Sequence, residues 1–419
     1  MRALWQDTVE EHVAAPPLDR DTEVDLVVIG AGFTGLSAAL HASLAGARVC
    51  VIEAATVGEG GSGRNVGLVN AGLWTPPDEV EQLLGPQTGV RFNALLAAAP
   101  GDVFTLIEQF QIRCEARRAG TLHCAHAPSG LRDLRRRHAQ LTARGAPVQL
   151  LDAAEARSRT GSAAVHGALF DPRAGTIQPL GYARGLARAA VSAGARLVEH
   201  TPAAWHRTAT GWQVTVGGHV IRARALIEAT NAYAGTPAAR RRFAPMHYFQ
   251  LATAPLPEDL RARILVGGEG CWDTAPVMSS FRMDAAGRLI LGGIGALGHP
   301  AAGLHRDWAA RKLRALFPGI APPRITHAWH GRIAVTRDHL PKILRLGPGG
   351  YAVFGYSGRG IGPGTVFGRA LARAAIEGSE DALPIPARDA YAEPIPRLRG
   401  AVVEAGALLV HATGLRRAG

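Results

Sequence analysis

The sequence is poor in lysine, in cysteine and in long apolar runs. Only Lys312 and Lys342 stand among its 46 basic residues, so nearly all its positive charge is arginine. Four cysteines, Cys50, Cys114, Cys124 and Cys271, lie scattered without a Cys-x-x-Cys pair. That spacing argues against a disulfide framework and against a zinc site, and no metal is expected. No uninterrupted apolar stretch reaches the roughly 18–20 residues of a membrane span. The best one near the end, Ala401 to Ala412, is broken by Glu404 and His411. The opening MRALWQDTVEEHVAAPP has acids in its middle and no apolar signal core, so a cytoplasmic protein is expected. Acidic residues are outnumbered, giving a net charge of +12, which invites a nucleic-acid reading. The arginines are spread along the chain, however. Their densest groups, Arg132 to Arg137 and Arg240 to Arg242, lack interleaved aromatics or a recognised nucleic-acid module. Solvated faces are the simpler reading, and no nucleic-acid partner is expected; steering of an anionic substrate stays open.

What is present centres on Val24 to Ala54. Val24 to Ile29 is a β-branched apolar run of the kind that forms a buried parallel strand. Gly30, Gly32 and Gly35 follow in a Gly-x-Gly-x-x-Gly pattern that includes Phe33 and Thr34. The first glycine allows a tight turn, the second a close approach of pyrophosphate to backbone, the third close packing of helix on sheet. The helix N-terminus that follows offers free N–H groups and a positive dipole end to phosphate. A second strand, Arg48 to Ile52, ends on Glu53 and Ala54. An acid there accepts a ribose 2′-hydroxyl and disfavours a 2′-phosphate, so FAD or NAD is expected rather than NADP.

With 419 residues, 47% of them apolar, the chain can fill two domains. Thr56 to Gly72 is a glycine-rich loop carrying Ser62, Gly63, Arg64 and Asn65, placed to run past the cofactor. Leu83 to Leu151 reads mainly as helix, with Leu131 to Ala143 basic and amphipathic and Gly120 to Ala125 a candidate strand. Gly181 to Ala193 reads as helix. Arg196 to Val198, Trp212 to Val216 and Ala225 to Ala229 read as strands, the last leading into Thr230. From Pro245 the pattern changes to alternating strands: His247 to Thr253, Val277 to Arg282, Arg288 to Gly292 and Trp329 to Thr336, with a helix at Leu304 to Phe317. A last strand, Tyr351 to Gly355, feeds a second glycine-rich turn, Tyr356 to Gly364, and a helix from Thr365 to Glu377. NAD alone requires no such second turn.

Taken together, Leu4-Trp5, the unit Asp25 to Glu53, the Ser-Gly-Arg-Asn core at 62–65, Ala229-Thr230-Asn231-Ala232, Trp329 to Pro341 and Gly355 to Gly360 resemble the FAD-dependent amine and amino-acid oxidoreductases of the D-amino-acid oxidase superfamily, most closely its γ-glutamylputrescine oxidase branch. The resemblance implies an α/β (α+β overall) fold, a Rossmann-like FAD-binding domain interleaved with an antiparallel-sheet substrate domain. The first would comprise 1–82, 152–244 and 326–419, the second 83–151 and 245–325. It also implies non-covalent FAD, since no cysteine or histidine sits at an attachment motif. Gly30, Gly32, Phe33, Thr34, Gly35, Glu53 and Ala54 would hold the ADP half, with Ala203 near the adenine. Ser62, Gly63, Arg64, Asn65, Ala229 and Thr230 would line the pyrophosphate and flavin. Gly358, Arg359, Gly360 and Ile361 would approach the flavin's pyrimidine end.

Two departures bear on chemistry. α-Amino-acid members carry an arginine three residues before the threonine of a Thr-x-Asp motif; here that position is Ile333, with Arg332 beside it on the opposite strand face. An amine, or an acid gripped elsewhere, is therefore expected over a simple α-amino acid. Sarcosine-oxidase-like members use a lysine near the flavin for oxygen reduction, and neither Lys312 nor Lys342 matches it, so the acceptor is O2 or another electron acceptor. For the substrate, Tyr356, His247, Tyr248 and Trp329 are the candidates, with Trp272 as a further cage aromatic. His247 and Tyr248 cannot both face the flavin from one regular strand. The expected reaction is oxidation of a primary or secondary amine by hydride transfer to flavin N5, the imine then hydrolysing. The alternatives are oxidation of glycine, sarcosine or D-amino acids, and a non-catalytic flavoprotein. Nothing in the sequence sets the oligomeric state.

Overall fold

A computed structural model describes residues 2–318 and 324–414. Two eight-stranded sheets dominate it. The first runs Lys342–Gly347, Gly350–Phe354, His219–Glu228, Thr22–Ile29, Val49–Ile52, Arg196–Val198, with Trp212–Val216 and Ala203–Arg207 added as an antiparallel ribbon on His219–Glu228. Its four central pairings are parallel, and Lys342–Gly347 closes one edge antiparallel. Thr22–Ile29 and Val49–Ile52 pair directly through the helix Phe33–Leu44, the βαβ unit expected from the glycine pattern.

Small residues set the distance between layers. Ten of the 12 residues of Phe33–Leu44 are buried, most of them Gly, Ala, Ser or Thr. This helix lies against Ile361–Glu377, the helix that follows the second glycine-rich turn. A Cβ on Gly364 would come 3.0 Å from Thr34 Oγ1, and one on Gly368 would come 2.7 Å from Ser37 Cβ. Ser37 Oγ donates to Thr365 O at 2.6 Å across the contact. The glycines on one helix and the short side chains on the other thus bring both helix N-termini together under one end of the sheet.

The second sheet runs Ile325–Val335, Ala244–Pro255, Arg288–Ile294, Ser279–Met283, Gly270–Asp273, Thr121–Cys124, Ala168–Asp171, Gln149–Leu151. It is antiparallel apart from one parallel pair, Gly270–Asp273 with Thr121–Cys124, two strands far apart in sequence that no hairpin could join. Ala168–Asp171 and Ile325–Val335 reach it from stretches that otherwise build the first sheet. Helices Ala302–Leu316 and Pro396–Thr413 cover its outer face, where Phe249 meets His305, Trp308 and His411.

The stretch read as one helical region divides into Pro77–Leu84, Pro86–Gln109 and Pro128–Thr142 around the strand Thr121–Cys124. Helix Pro86–Gln109, although interrupted by polar residues, is long and apolar enough by length and composition to span a bilayer. Here Phe92, Leu96, Val103 and Phe104 bury its inner face in the main core.

Candidate active site

The dinucleotide unit is shaped from its backbone. Gly30 sits at φ +105°, where an added Cβ would approach Ala229 O at 3.0 Å. Gly32 is the N-cap of Phe33–Leu44 and supplies no side-chain acceptor. A Cβ there would stand 2.8 Å from Ser62 Oγ, which itself accepts from Phe33 N at 3.1 Å. Gly35 packs on Gly30 and Val28. Glu53 is turned back onto the loops and accepts from Ala31 N (2.8 Å) and Ala55 N (2.9 Å). Burial, reinforced by the nearby Glu199, pushes its pKa above the ordinary carboxylate value. A helix N-terminus capped by a glycine, a turn stripped of side chains and a carboxylate at the end of the second strand fit the pyrophosphate and ribose of an ADP-bearing cofactor.

The Ser62–Asn65 loop is rigidly tied. Asn65 donates to Gly61 O and Ser62 O and accepts from Gly67 N, while its carbonyl accepts from Trp5 Nε1 at 2.8 Å. Arg64 pairs with Glu59, and its carbonyl accepts from Trp329 Nε1 at 3.0 Å. Ala54 is exposed and Gly63 buried. Ala229 N donates to Ile29 O (2.8 Å), and Thr230 Oγ1 to Glu228 (3.3 Å). Ala203 stands at the start of the antiparallel ribbon, paired with Val216. It is His200 and Thr201 that donate to Ala55 O and Glu53 O.

One row of paired residues crosses the second sheet: Trp329, Gln250, Gly292, Ser280, Trp272 and His123. Directly paired residues share a face, and Tyr248 and Gly331, two positions along, and Ile333, four along, share it too. Trp329 reaching Arg64 shows that this face looks toward the Ser62–Asn65 loop. Tyr248 hydroxyl donates to Ser280 Oγ at 2.9 Å, and burial raises its pKa, so the phenol stays protonated. His123 stacks on Trp272 at 4.9 Å, and burial drives its pKa well down, leaving it neutral.

Opposite this face stands the second glycine turn. Gly358 has φ +92°, and a Cβ on it would lie 3.3 Å from Trp74 Nε1 and 3.7 Å from Ile333 Cδ1. Gly360 caps the helix that Ile361 begins. The Arg359 guanidinium is buried between two indoles, 4.7 Å from the Trp74 ring centre and 4.6 Å from that of Trp272.

Three of the expected substrate residues stand elsewhere. Tyr356 is 5% exposed, packs on Phe367, and shares a 2.9 Å hydrogen bond with Thr34 Oγ1, so it joins the two helices inside the core. Trp329 is fully buried and packs edge-on to Trp5 at 5.9 Å. His247, next to Tyr248, points to the opposite face. It lines a cleft of about 390 Å³ along the edge strand Ile325–Val335, with Glu59, Arg64, Tyr233, His330, Gly331 and Arg332. Burial lowers the pKa of both His247 and His330. The residues that sequence reasoning missed, Trp74, His123 and Ser280, carry no motif. Only the pairing of distant strands assembles them.

Among the described residues, His299, His305 and Glu404 have ligand atoms within 4.8 Å of one another. Ala301 N donates to His299 Nδ1, so His299 Nε2 carries the proton and donates to Glu404 at 3.1 Å. That arrangement is a hydrogen-bonded clasp, with His299 in the wrong tautomer to ligate through Nε2.

A parallel-sheet dinucleotide unit joined to a mostly antiparallel sheet, with two glycine turns facing its inner surface, defines a dinucleotide-dependent oxidoreductase architecture. Residues 25–374 match the DAO family, described as FAD dependent oxidoreductase, and the chain belongs to it. Its cofactor is accordingly FAD. The chain is 34% identical to a probable oxidoreductase, OrdL, of Rhizobium meliloti, covering 89% of this chain and 87% of that protein. It is 32% identical to gamma-glutamylputrescine oxidoreductase of Escherichia coli, covering 88% of each. The crystal structure of glycine oxidase from Geobacillus kaustophilus superposes with a TM-score of 0.71 at 23% identity, over 86% of this chain and 96% of that one.

Proposed function

We propose that this enzyme oxidises a primary or secondary amine of the γ-glutamylputrescine type. The observation that carries the reading is Ile333, an aliphatic side chain beside the Gly358 turn on the inner sheet face. Arg332 lies on the other face, its guanidinium 4.7 Å over the Tyr233 ring. No guanidinium from this strand meets a carboxylate adjacent to the reacting carbon. The likeness to gamma-glutamylputrescine oxidoreductase supports the same substrate class.

In this reading Gly30, Gly32, Phe33, Thr34, Gly35 and Glu53 hold the ADP half of FAD, and Ser62, Gly63, Arg64, Asn65 and the Gly358–Ile361 turn border the flavin. When bound, FAD supplies the oxidant: its N5 accepts a hydride from the carbon bearing the amine, and water hydrolyses the resulting imine. Ile333 offers an apolar wall that disfavours an ammonium ion and so favours the neutral amine, whose lone pair assists loss of hydride. Tyr248, held by Ser280, presents a protonated phenol to the same space. Attachment of FAD is non-covalent: all four cysteines are buried, and burial pushes the Cys50 and Cys114 thiols up to about 12. Both lysines are committed to ion pairs, Lys312 with Asp273 and Lys342 with Asp338, so neither is free to assist O2 as the acceptor.

The test is anaerobic bleaching of the flavin spectrum by a panel of polyamine derivatives and amino acids. Reduction by γ-glutamylputrescine or a related amine, faster than by glycine, sarcosine or D-alanine, is expected. Reduction by the free amino acids alone would replace this reading with an amino-acid oxidase, and admitting air then shows whether oxygen is the acceptor.

A further inference from the structure

Arg359 is a guanidinium on the inner face whose N–H edge is not engaged by the protein. It is 9% exposed, and among the described residues its side chain makes no hydrogen bond and no ion pair. A largely buried arginine without a protein acceptor gives up part of its hydration with nothing in exchange, and its fork stays open to a ligand. Here two indoles hold it flat by cation–π contact, which fixes the plane of the fork without using its N–H edge. The surroundings add positive potential. Burial first, and then the charge of Arg137, which donates to Trp74 O at 3.0 Å, lower the pKa of Arg359, while Asp171, whose charge opposes this, is already bound bidentately by Arg173. His123, stacked behind Trp272, is neutral.

Two further polar groups on the same sheet face lack partners among the described residues. Trp272 Nε1, on a residue 7% exposed, has no acceptor, and Gln250 Oε1, on a residue 1% exposed, has no donor. Both belong to the cross-sheet row beneath the Gly358 turn. A free fork and a free indole N–H beside each other are the donor set for a carboxylate. Gln250 Oε1, nearer Ile333 along the row, is an acceptor suited to an amine N–H.

We propose that Arg359, clamped between Trp74 and Trp272, binds a carboxylate on the substrate, set apart from the carbon that is oxidised. The inference rests on the amine reading above and narrows it to amines whose chain ends in an acid. The position of the acid follows from the sheet. Ile333 lies on the edge strand, whereas Trp272 lies four strands further along, and the Arg359 side chain leans toward the latter. The guanidinium faces the second sheet and not the dinucleotide unit, so its partner is substrate before it is cofactor.

Glutarate, a dicarboxylate with no oxidisable amine, separates the two claims. It is titrated into FAD-loaded wild-type, R359K and R359Q enzyme, reading tryptophan fluorescence and perturbation of the flavin band. Saturable binding to wild type, weakened at least tenfold in R359Q and less in R359K, with flavin content unchanged, is expected. In parallel, γ-glutamylputrescine should outcompete N-acetylputrescine, which keeps the amine and loses the acid, in bleaching wild-type flavin but not R359Q flavin. Equal glutarate affinity in wild type and R359Q, or no binding to wild type, overturns the proposal. Loss of FAD or a shifted flavin reduction potential in R359Q with glutarate affinity intact also overturns it, by assigning the guanidinium to the cofactor. Arg359-dependent glutarate binding in an enzyme that no amine reduces would sustain this inference while defeating the amine reading.

Discussion

Tyr356 shows how a residue's position in the sequence differs from its job in space. It follows the last strand of the first sheet at a glycine-rich turn, a place where side chains commonly meet a cofactor or substrate. Its hydroxyl instead finds Thr34 Oγ1 at 2.9 Å, and its ring packs on Phe367. The sequence shows that a tyrosine stands at the turn, but not the direction of its Cβ, which depends on how closely two glycine-lined helices approach. Arg359, three residues on, has the reverse history: expected at the flavin edge, it leans onto Trp272. Substituting Tyr356→Phe removes one buried hydrogen bond and nothing from the inner sheet face. A stability loss of about 1 kcal/mol is expected from urea unfolding, with kcat within twofold of wild type. A hundredfold fall in kcat at unchanged stability would return Tyr356 to the chemistry.

At the scale of elements, local patterns were the legible ones. The βαβ unit could be read because strand, glycines, helix and acid fall within one contiguous stretch, and each constraint is a backbone constraint. The strands His247 to Thr253 and Arg288 to Gly292 showed through their alternation and are longer in the structure, Ala244–Pro255 and Arg288–Ile294. The C-terminal helix Pro396–Thr413 had looked only like a broken apolar run. Its interruptions, Glu404 and His411, are what fasten it. Glu404 accepts from Ala296 N, His299 and His305, which hold its pKa down to about 2. His305 meets His411 Nδ1 at 2.6 Å, and His411, stacked on Trp308 at 4.0 Å, is pushed down to about 3 by burial. Both shifts act in the same direction. The unfolded chain protonates His411 near 6.5 and Glu404 near 4.5, before the native state does, so stability is full above about 6.5 and falls as pH drops toward 3 and then 2. Each proton contributes up to about 1.4 kcal/mol per pH unit. His411→Phe keeps the stack and deletes one proton. Its urea midpoint should change less than that of wild type between pH 6.5 and 4, and parallel curves would show that the clasp is not the acid-sensitive element.

For the whole molecule, the question is what makes two sheets one protein, and here sequence reading has least purchase, because the contacts join residues hundreds of positions apart. Trp5, Arg64 and Trp329 meet at the seam, as do Trp74, Trp272 and Arg359. A buried charged link is Arg282, 1% exposed on the second-sheet strand Ser279–Met283. Its guanidinium donates to the carbonyls of Val66, Gly67 and Ile177 and lies 5.5 Å over the Trp5 ring. Burial, opposed by the charges of Glu115 and Asp284, brings its pKa down to about 10, which still leaves it charged at neutral pH. Three carbonyls gathered on its Nη1 make this charge a strut between the sheets and the loop that follows Asn65. Arg282→Met preserves much of the volume and stack but takes the donor from Val66 O and Ile177 O, at about 1–3 kcal/mol each if water does not replace it, while Gly67 O keeps Ile177 N at 2.9 Å. Thermal unfolding should therefore drop by several degrees, and FAD should dissociate more readily because the Ser62–Gly67 loop loses its anchor. Arg282→Lys, which keeps the charge without the fork, should recover less than half of the lost stability. Full recovery by lysine would mean that a buried positive charge is what the seam requires. Little recovery, with FAD affinity falling in step with stability, would mean that the fork's geometry holds the cofactor loop and the substrate sheet in register.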